Sequence, residues 1–287
     1  MINSDAKVWL ITGSSSGFGR SLVEAVLKKG DRVVATARKP EQLDDLVQQY
    51  PETVHAVRLD VTNLQDVQAA IKSALNQYER IDVLVNNAGY PAMGAIEELS
   101  DDDTRRQFET NFFGALTMIR AVLPTMREQR SGHILNISSF VGVASFSGLG
   151  IYSATKFALE GASEALAQEV KPLGIKVTLI EPGGFRTNGI GSSMVTPKHP
   201  ISDYDETSGK TIDFMRASHG KQPGDPAKAA DAMIQVVESD APPLRLALGE
   251  DSANGIVQKL DAMKAELEAW KFVSISTAFE GETVAAT

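Results

Sequence analysis

Short apolar runs alternate along the chain with longer stretches whose apolar positions recur every three to four residues. Val8–Ile11 is the first such run, followed by glycines and an amphipathic stretch from Arg20 to Lys29 that Gly30 stops. The β-rich run Arg32–Ala37 comes next, then a helical stretch from Pro40 to Gln49 with proline in its first turn. Val54–Leu59 reads as a strand, Leu64–Tyr78 as a helix and Ile81–Val85 as a strand. Thr104–Gln129 is a long helical pattern that Pro124 should bend or shorten. His133–Ile137 is a strand, Tyr152–Lys171 a helix and Ile175–Ile180 a strand; Leu244–Leu248 and the amphipathic helix Ile256–Trp270 close the series. Short buried strands that alternate with helices predict an α/β fold: a doubly wound, mainly parallel sheet with helices on both faces. No stretch has linker character and no internal repeat is visible, so residues 1–287 are expected to form a single domain. Residues 183–225 are the least regular, rich in Gly, Pro, Ser and Thr, and are expected to act as a lid over a substrate.

Composition narrows the function. The chain has 287 residues and a net charge of −9, which disfavours a nucleic-acid surface. It contains no cysteine, so disulfides, thiolate catalysis and cysteine metal sites are excluded together. The first seven residues lack a basic-then-apolar leader, and no apolar stretch approaches a membrane span. A cytoplasmic chain is expected. His55, His133, His199 and His219 show no metal-ligand spacing and are expected at the surface or at strand ends, so no metal is predicted.

Candidate chemistry starts in the first turn. Thr12-Gly13-Ser14-Ser15-Ser16-Gly17-Phe18-Gly19 follows a strand and opens a helix, the context in which glycines serve a dinucleotide. Gly13 permits a tight exit, Gly17 lets backbone approach a pyrophosphate, and Gly19 lets helix and strand pack closely. The helix N-terminus offers free N–H groups to phosphate oxygens. An NAD site places an acid near the end of the second strand; here Arg38 follows Ala37 and no carboxylate is present. A guanidinium can grip a 2′-phosphate, whereas an acid repels it. NADP(H) is therefore expected, with NAD(H) possible.

Tyr152 and Lys156 stand one helical turn apart and address the same space. A free tyrosine ionises near 10, too high for facile proton exchange near neutrality. A lysine at about 4 Å, with an effective dielectric near 20, attracts the phenolate by roughly 4 kcal/mol. That would lower the phenol by up to about 3 pH units. A phenol so tuned can protonate a carbonyl oxygen during reduction, and Ser139 can orient the same oxygen.

The glycine turn, Asn86-Asn87-Ala88-Gly89, Asn111, Ser139 and Tyr152-x-x-x-Lys156 together resemble the short-chain dehydrogenase/reductase family, from about residue 7 to 187. The resemblance implies a seven-stranded Rossmann sheet of order 3-2-1-4-5-6-7 and a catalytic set of Asn111, Ser139, Tyr152 and Lys156. It implies that Lys156 also binds the nicotinamide ribose and that Asn111 helps hold a water linking lysine to solvent. Cofactor contacts are expected at Gly13, Ser15, Ser16, Gly17, Phe18, Gly19, Arg38, Asp60, Val61, Asn87, Ala88, Gly89, Tyr152, Lys156, Pro182, Gly183, Phe185 and Thr187. In such enzymes the helices near 104–129 and 152–171 pack across a two-fold axis, so a homodimer or homotetramer is implied. The apolar stripe Phe112, Phe113, Leu116 and Ile119 reads on its own as helix core or interface.

Met93, Phe146, Leu149, Phe185, Ile190 and Met194 lie on segments expected to border the nicotinamide, beside Ser139 and Tyr152. They suggest an apolar pocket for a lipophilic ketone or aldehyde. The tail from Pro242 to Leu246, with Gly249 and the final helix, resembles hydroxysteroid and retinol dehydrogenase-like members. Two other functions stay open: a dinucleotide-sensing binding protein, and a non-redox enzyme of the same fold. Net consumption of NADPH with a carbonyl compound separates both from a reductase.

Overall fold

Val8 and Leu10 point to one face of a central sheet and Trp9 and Ile11 to the other, and all four are fully buried. A strand with no exposed position requires cover on both sides, and the chain supplies it. The computed structural model describes residues 6–187 and 193–279. Strands β1 (Val8–Ile11), β2 (Arg32–Ala37), β3 (Val54–Arg58), β4 (Val83–Asn86), β5 (Gly132–Ile137), β6 (Ile175–Pro182) and β7 (Arg245–Leu248) form one sheet of order β3-β2-β1-β4-β5-β6-β7. All the pairings between these strands are parallel. This is the predicted sheet and order.

One face is covered by α1 (Gly17–Lys29), α2 (Asp44–Gln49) and α8 (Pro226–Glu238), through Leu22, Val26, Leu46, Met233 and Val237. The opposite face is covered by α3 (Leu64–Tyr78), α5 (Gly114–Gln129) and α6 (Gly150–Val170), through Val67, Ile71, Met118, Val122 and Leu166. The remaining helices are α4 (Asp101–Phe108), α7 (Lys210–Ser218) and α9 (Glu250–Ile275).

The long helical pattern departs from expectation. It starts at Asp101, where Ser100 caps it by accepting the Asp103 N–H at 3.1 Å, and Pro124 does not shorten it. The irregularity lies earlier, at Glu109–Phe113, where the backbone makes a π-turn between α4 and α5. Such single turns recur at functional sites. Of the apolar stripe, Ile119 is core, Phe112 and Leu116 are half-buried, and Phe113 is 46% exposed.

Three further differences concern the second half. Residues 183–225 are not irregular throughout: Ser202–Tyr204 and Asp205–Gly209 are short helical turns that lead into α7. Helix α8 lacks a counterpart in the expected elements, although Asp225 caps it by accepting the Ala227 N–H at 2.9 Å and Pro226 opens it. The final helix also extends beyond the expected Ile256–Trp270 at both ends.

Candidate active site

The glycine turn is built by backbone demands. Gly13 and Gly17 have φ of 68° and 57°, a region that disfavours side chains. A Cβ on Gly19 would strike the Gly13 carbonyl oxygen and lie 2.5 Å from Asn87 Nδ2. That amide donates to the carbonyls of Thr12 at 2.8 Å and Gly13 at 3.0 Å, clamping the turn to the end of β4. Thr12 Oγ1 reinforces the clamp by accepting the N–H groups of Asn87 and Ala88, both at 2.9 Å. Ser14 is buried and donates to the Ile11 carbonyl at 2.8 Å, so it holds the turn rather than a ligand. Ser15 and Ser16 stay accessible at the mouth, and Ser16 does not cap α1 with its side chain. No carboxylate stands in the first turn of α1. The N–H groups and positive dipole end of that helix are therefore left to meet an anion.

The rest of the expected cradle lies along the same ends of the strands. Arg38 is exposed and makes no hydrogen bond or ion pair among the described residues. It acts electrostatically on Asp60, whose charge burial opposes but whose hydrogen bonds from Thr62 and neighbours Arg38 and Arg58 favour, leaving its pKa lowered. Val61 is core: it is 7% exposed and its side chain packs against Gly114. Thr187 lies opposite the glycine turn, since a Cβ on Gly17 would come within 3.3 Å of it. Gly183 has no room for a side chain because Asp251 fills that space, and Asp251 accepts the Gly184 N–H at 2.7 Å. The Phe185 ring is 9% exposed and packs edge-on against Phe18, centroids 5.1 Å apart. Both rings are thus committed to the core cluster under the turn, which leaves Phe185 little surface for a substrate.

Tyr152, Lys156, Ser139 and Asn111 converge where β4, β5 and β6 end. Lys156 Nζ sits 5.8 Å from the centroid of the Tyr152 ring and donates to the Ile137 carbonyl at 2.7 Å. Asn111 belongs to the π-turn and is buried; its Nδ2 donates to the Tyr90 carbonyl at 3.0 Å and to Thr155 Oγ1 at 3.2 Å. A Cβ on Gly89 would lie 3.0 Å from Asn111 Oδ1 and 3.8 Å from Lys156 Nζ, so the three residues enclose one small space. Ser139 leaves β5 in extended conformation and accepts the Val141 N–H at 3.3 Å.

Electrostatics here differ from the sequence-based expectation. Burial pushes the Tyr152 phenol up to about 12, against the pull of Ser139. Burial likewise pushes Lys156 down to about 8, against the pull of Glu160 toward the charged form. The shift of the phenol thus runs opposite to the expected lowering by lysine, and burial is its first cause.

Behind Lys156 lies a cluster that sequence reasoning missed. Glu160 and Glu181 are 6% and 2% exposed, and Arg245 reaches them at 3.1 and 3.6 Å. Burial and the neighbouring Glu160 push Glu181 up to about 7, with Arg245 opposing. The spacing of Lys156 and Glu160, one turn apart, was the available signal.

Met93, Leu149 and Val141 form a small apolar cluster with Ile212, and Tyr152, Met194 and Met215 pack against it. Ile212 and Met215, on α7, were not foreseen. Phe146 stands apart, 47% exposed and 5.4 Å from the Phe140 ring. Ile190 lies outside the described residues. Of the histidines, His133 is buried within β5 and its Nε2 lies 3.0 Å from Thr178 Oγ1; burial lowers it to about 4. Among the described residues no group of side chains could hold a metal ion, and no helix is long and apolar enough to cross a membrane.

Comparison with known proteins bears on this geometry. The profile of the family described as short chain dehydrogenase matches residues 7–195. Oxidoreductase BOA17 of Botryotinia fuckeliana is 43% identical over 274 residues, covering 95% of this chain and 99% of that protein. The 3-ketodihydrosphingosine reductase of Bacteroides thetaiotaomicron is 38% identical over 247 residues, 85% of this chain and 88% of its own. The crystal structure of a short-chain dehydrogenase from Streptomyces avermitilis superposes with a TM-score of 0.91 at 47% identity, over 96% of this chain and 100% of that one. ElxO with NADP bound superposes with a TM-score of 0.72 at 26% identity, over 87% and 99% of the two chains.

Proposed function

The chain belongs to the short-chain dehydrogenase family of oxidoreductases, and from that premise we propose that it interconverts a lipophilic ketone or aldehyde and its alcohol with NADP(H). The observation that carries this reading is the convergence of Tyr152, Lys156, Ser139 and Asn111 beside a glycine turn shaped for a dinucleotide. The cradle fits such a group: Gly19 has no space for a side chain, and α1 begins without a capping side chain or a carboxylate. Arg38 is free to meet a 2′-phosphate, and the NADP seen in ElxO supports that choice of cofactor. A bound nicotinamide supplies or accepts the hydride.

The protein's own residues handle position and protons. Ser139 and Tyr152 hold the carbonyl oxygen. The Tyr152 hydroxyl keeps its proton at neutral pH, as a phenol near 12 must, and gives it up as the oxygen gains alkoxide character. Lys156, with a pKa near 8, is mostly ammonium at neutral pH; it steadies the phenolate left behind and can return a proton to it. Asn111 and Gly89 bound the space through which the lysine's proton is replaced. Met93, Leu149, Met194, Ile212 and Met215 make the wall beside Tyr152 apolar, which suits a bulky carbonyl compound. A relative named as a 3-ketodihydrosphingosine reductase is in keeping with a keto substrate. The chain acts as one catalytic unit, with residues 183–225 as the lid that carries α7 to this wall.

The test is Tyr152→Phe. The variant should bind NADPH as the parent does, read by nicotinamide fluorescence. Its turnover across a panel of ketones and aldehydes should fall by about 10²-fold or more. Parental turnover in that variant would reject the assignment.

A further inference from the structure

Helix α9 touches its own domain only at its root. Ser252 is buried and donates to the Glu181 carbonyl at 2.7 Å, and Gly255 lies against the Phe140 ring. From Leu260 to Phe279 every residue is exposed. Sixteen of these, up to Ile275, extend the helix by about 24 Å. An unsupported helix of that length is marginal in water.

Its apolar residues are ordered. Ala253, Ile256, Leu260, Met263, Leu267 and Trp270 follow a 3-4-3-4-3 spacing, the narrow seam of a coiled coil. Leu260, Met263, Leu267 and Trp270 are 54%, 50%, 61% and 68% exposed. The flanking charges are balanced: Lys259, Lys264 and Lys271 against Asp261, Glu266 and Glu268. A helix built for a membrane surface carries an excess of Lys and Arg on its polar side, and this one does not.

We infer that α9 pairs antiparallel with α9 of a second copy of this chain. With the two-fold axis between Asp261 and Ala262, every layer of the seam matches. Ala253 faces Trp270 of the partner subunit, a small residue against the largest. Ile256 faces Leu267 of the partner subunit, and Leu260 faces Met263 of the partner subunit. In this register Lys259 meets Glu266 of the partner subunit and Lys271 meets Glu250 of the partner subunit, and symmetry doubles both pairs. A parallel pair would instead set Lys259 against Lys264 of the partner subunit. Six exposed apolar side chains per copy, the four of the seam with Val257 and Val273, at roughly 100 Å² each, bury on the order of 1,200 Å² in all, the lower edge of a specific interface. The pairing uses neither α5 nor α6, so it is separate from the dimer that the family resemblance implies.

Zero-length carbodiimide cross-linking of the full chain tests this, with mixed light and ¹⁵N-labelled protein to mark links between copies. Within one helix Lys259 and Glu266 are about 10 Å apart along the axis, and Glu250 and Lys271 about 31 Å, too far for such a bond. Both links should form, and both should join light to heavy chains. Leu260→Glu with Leu267→Glu should remove them and halve the particle mass by sedimentation, with the cooperative melt of the domain retained. Lys259→Glu should weaken the pairing, and Lys259→Glu combined with Glu266→Lys should restore it. Absence of both links in the parent, or an unchanged mass in the double glutamate variant, would overturn the inference. So would a Glu266–Lys271 link alone, or co-sedimentation with phosphatidylcholine–phosphatidylglycerol vesicles in place of the links.

Discussion

Replacing Lys156 by methionine should stabilise or barely alter the protein at pH 7 while removing activity, and the sign should change as pH rises. Burial holds the lysine at about 8, against 10.5 for a free side chain. At about 1.36 kcal/mol per pH unit, its ammonium form carries a penalty of about 3 kcal/mol in the folded state at neutral pH. The substitution removes that penalty and keeps most of the packing. It also leaves the Ile137 carbonyl, now a partner of Nζ at 2.7 Å, without a donor, at a cost of about 1–3 kcal/mol. The two effects nearly cancel at pH 7. They separate with pH, because the unfolded chain keeps this proton to about 10.5 and the folded chain only to about 8. Between those values the unfolded state binds more protons, so the parent gains stability as pH rises, whereas the variant lacks this gain. Guanidinium unfolding of both proteins without cofactor should show the difference moving in favour of the parent by roughly 2.5 kcal/mol between pH 7 and 10. A difference constant to about 0.5 kcal/mol over that range would show that the lysine is not desolvated, and the proton assignment would fall with it.

Three other outcomes follow from the same site. Arg38→Asp should lower the preference for NADPH over NADH by at least about tenfold in kcat/KM, since one charge-assisted bidentate contact is lost and a repulsion gained; an unchanged ratio would remove Arg38 from the cradle. Glu181→Gln should raise thermal stability more at pH 8 than at pH 5. The folded acid holds its proton to about 7 while the unfolded one releases it near 4.5, so parental stability falls through that window by up to about 3 kcal/mol, and an equal gain at both pH values would contradict this. Gly19→Ala should cost about 1–3 kcal/mol by overpacking and weaken NADPH binding, because the new methyl drives into the Asn87 clamp. Unaltered melting together with unaltered affinity would refute that packing.

Much of the architecture was legible because the strands are so completely buried. Runs such as Val8–Ile11 and Arg32–Ala37 have few polar positions, and that reads directly as a covered parallel sheet. The converging Tyr152, Lys156, Ser139 and Asn111 were legible as a motif, and the structure brings them together. Their electrostatics were not: a pairwise attraction can be estimated from spacing, whereas desolvation depends on how deeply the fold sinks both groups. Helix α8 was overlooked although Asp225, Pro226 and an apolar stripe announce it. The surroundings of Tyr152 were half legible. Met93, Leu149 and Met194 were found from their place near the site, but Ile212 and Met215 arrive on a helix whose docking depends on tertiary contacts. The Phe185 ring was misjudged because its position in the chain is right for a ligand while its direction, toward Phe18, is set by packing.

The π-turn at Glu109–Phe113 has a consequence for which changes in length this chain could tolerate. Deleting one residue there would restore regular hydrogen bonding and spare the backbone its defect. The five residues of this turn, at the wider i to i+5 spacing, cover about the rotation that four residues of regular helix would, so α5 would keep its phase. Met118, Ile119, Val122 and Met126, the inward stripe of α5, would stay on the sheet. Asn111 would instead lose the place from which it reaches the Tyr90 carbonyl that it now shares with Gln107. The extra residue thus serves the site and not the core, and a frame-preserving loss of a single codon at this place should spare the cooperative melt of the domain while removing activity.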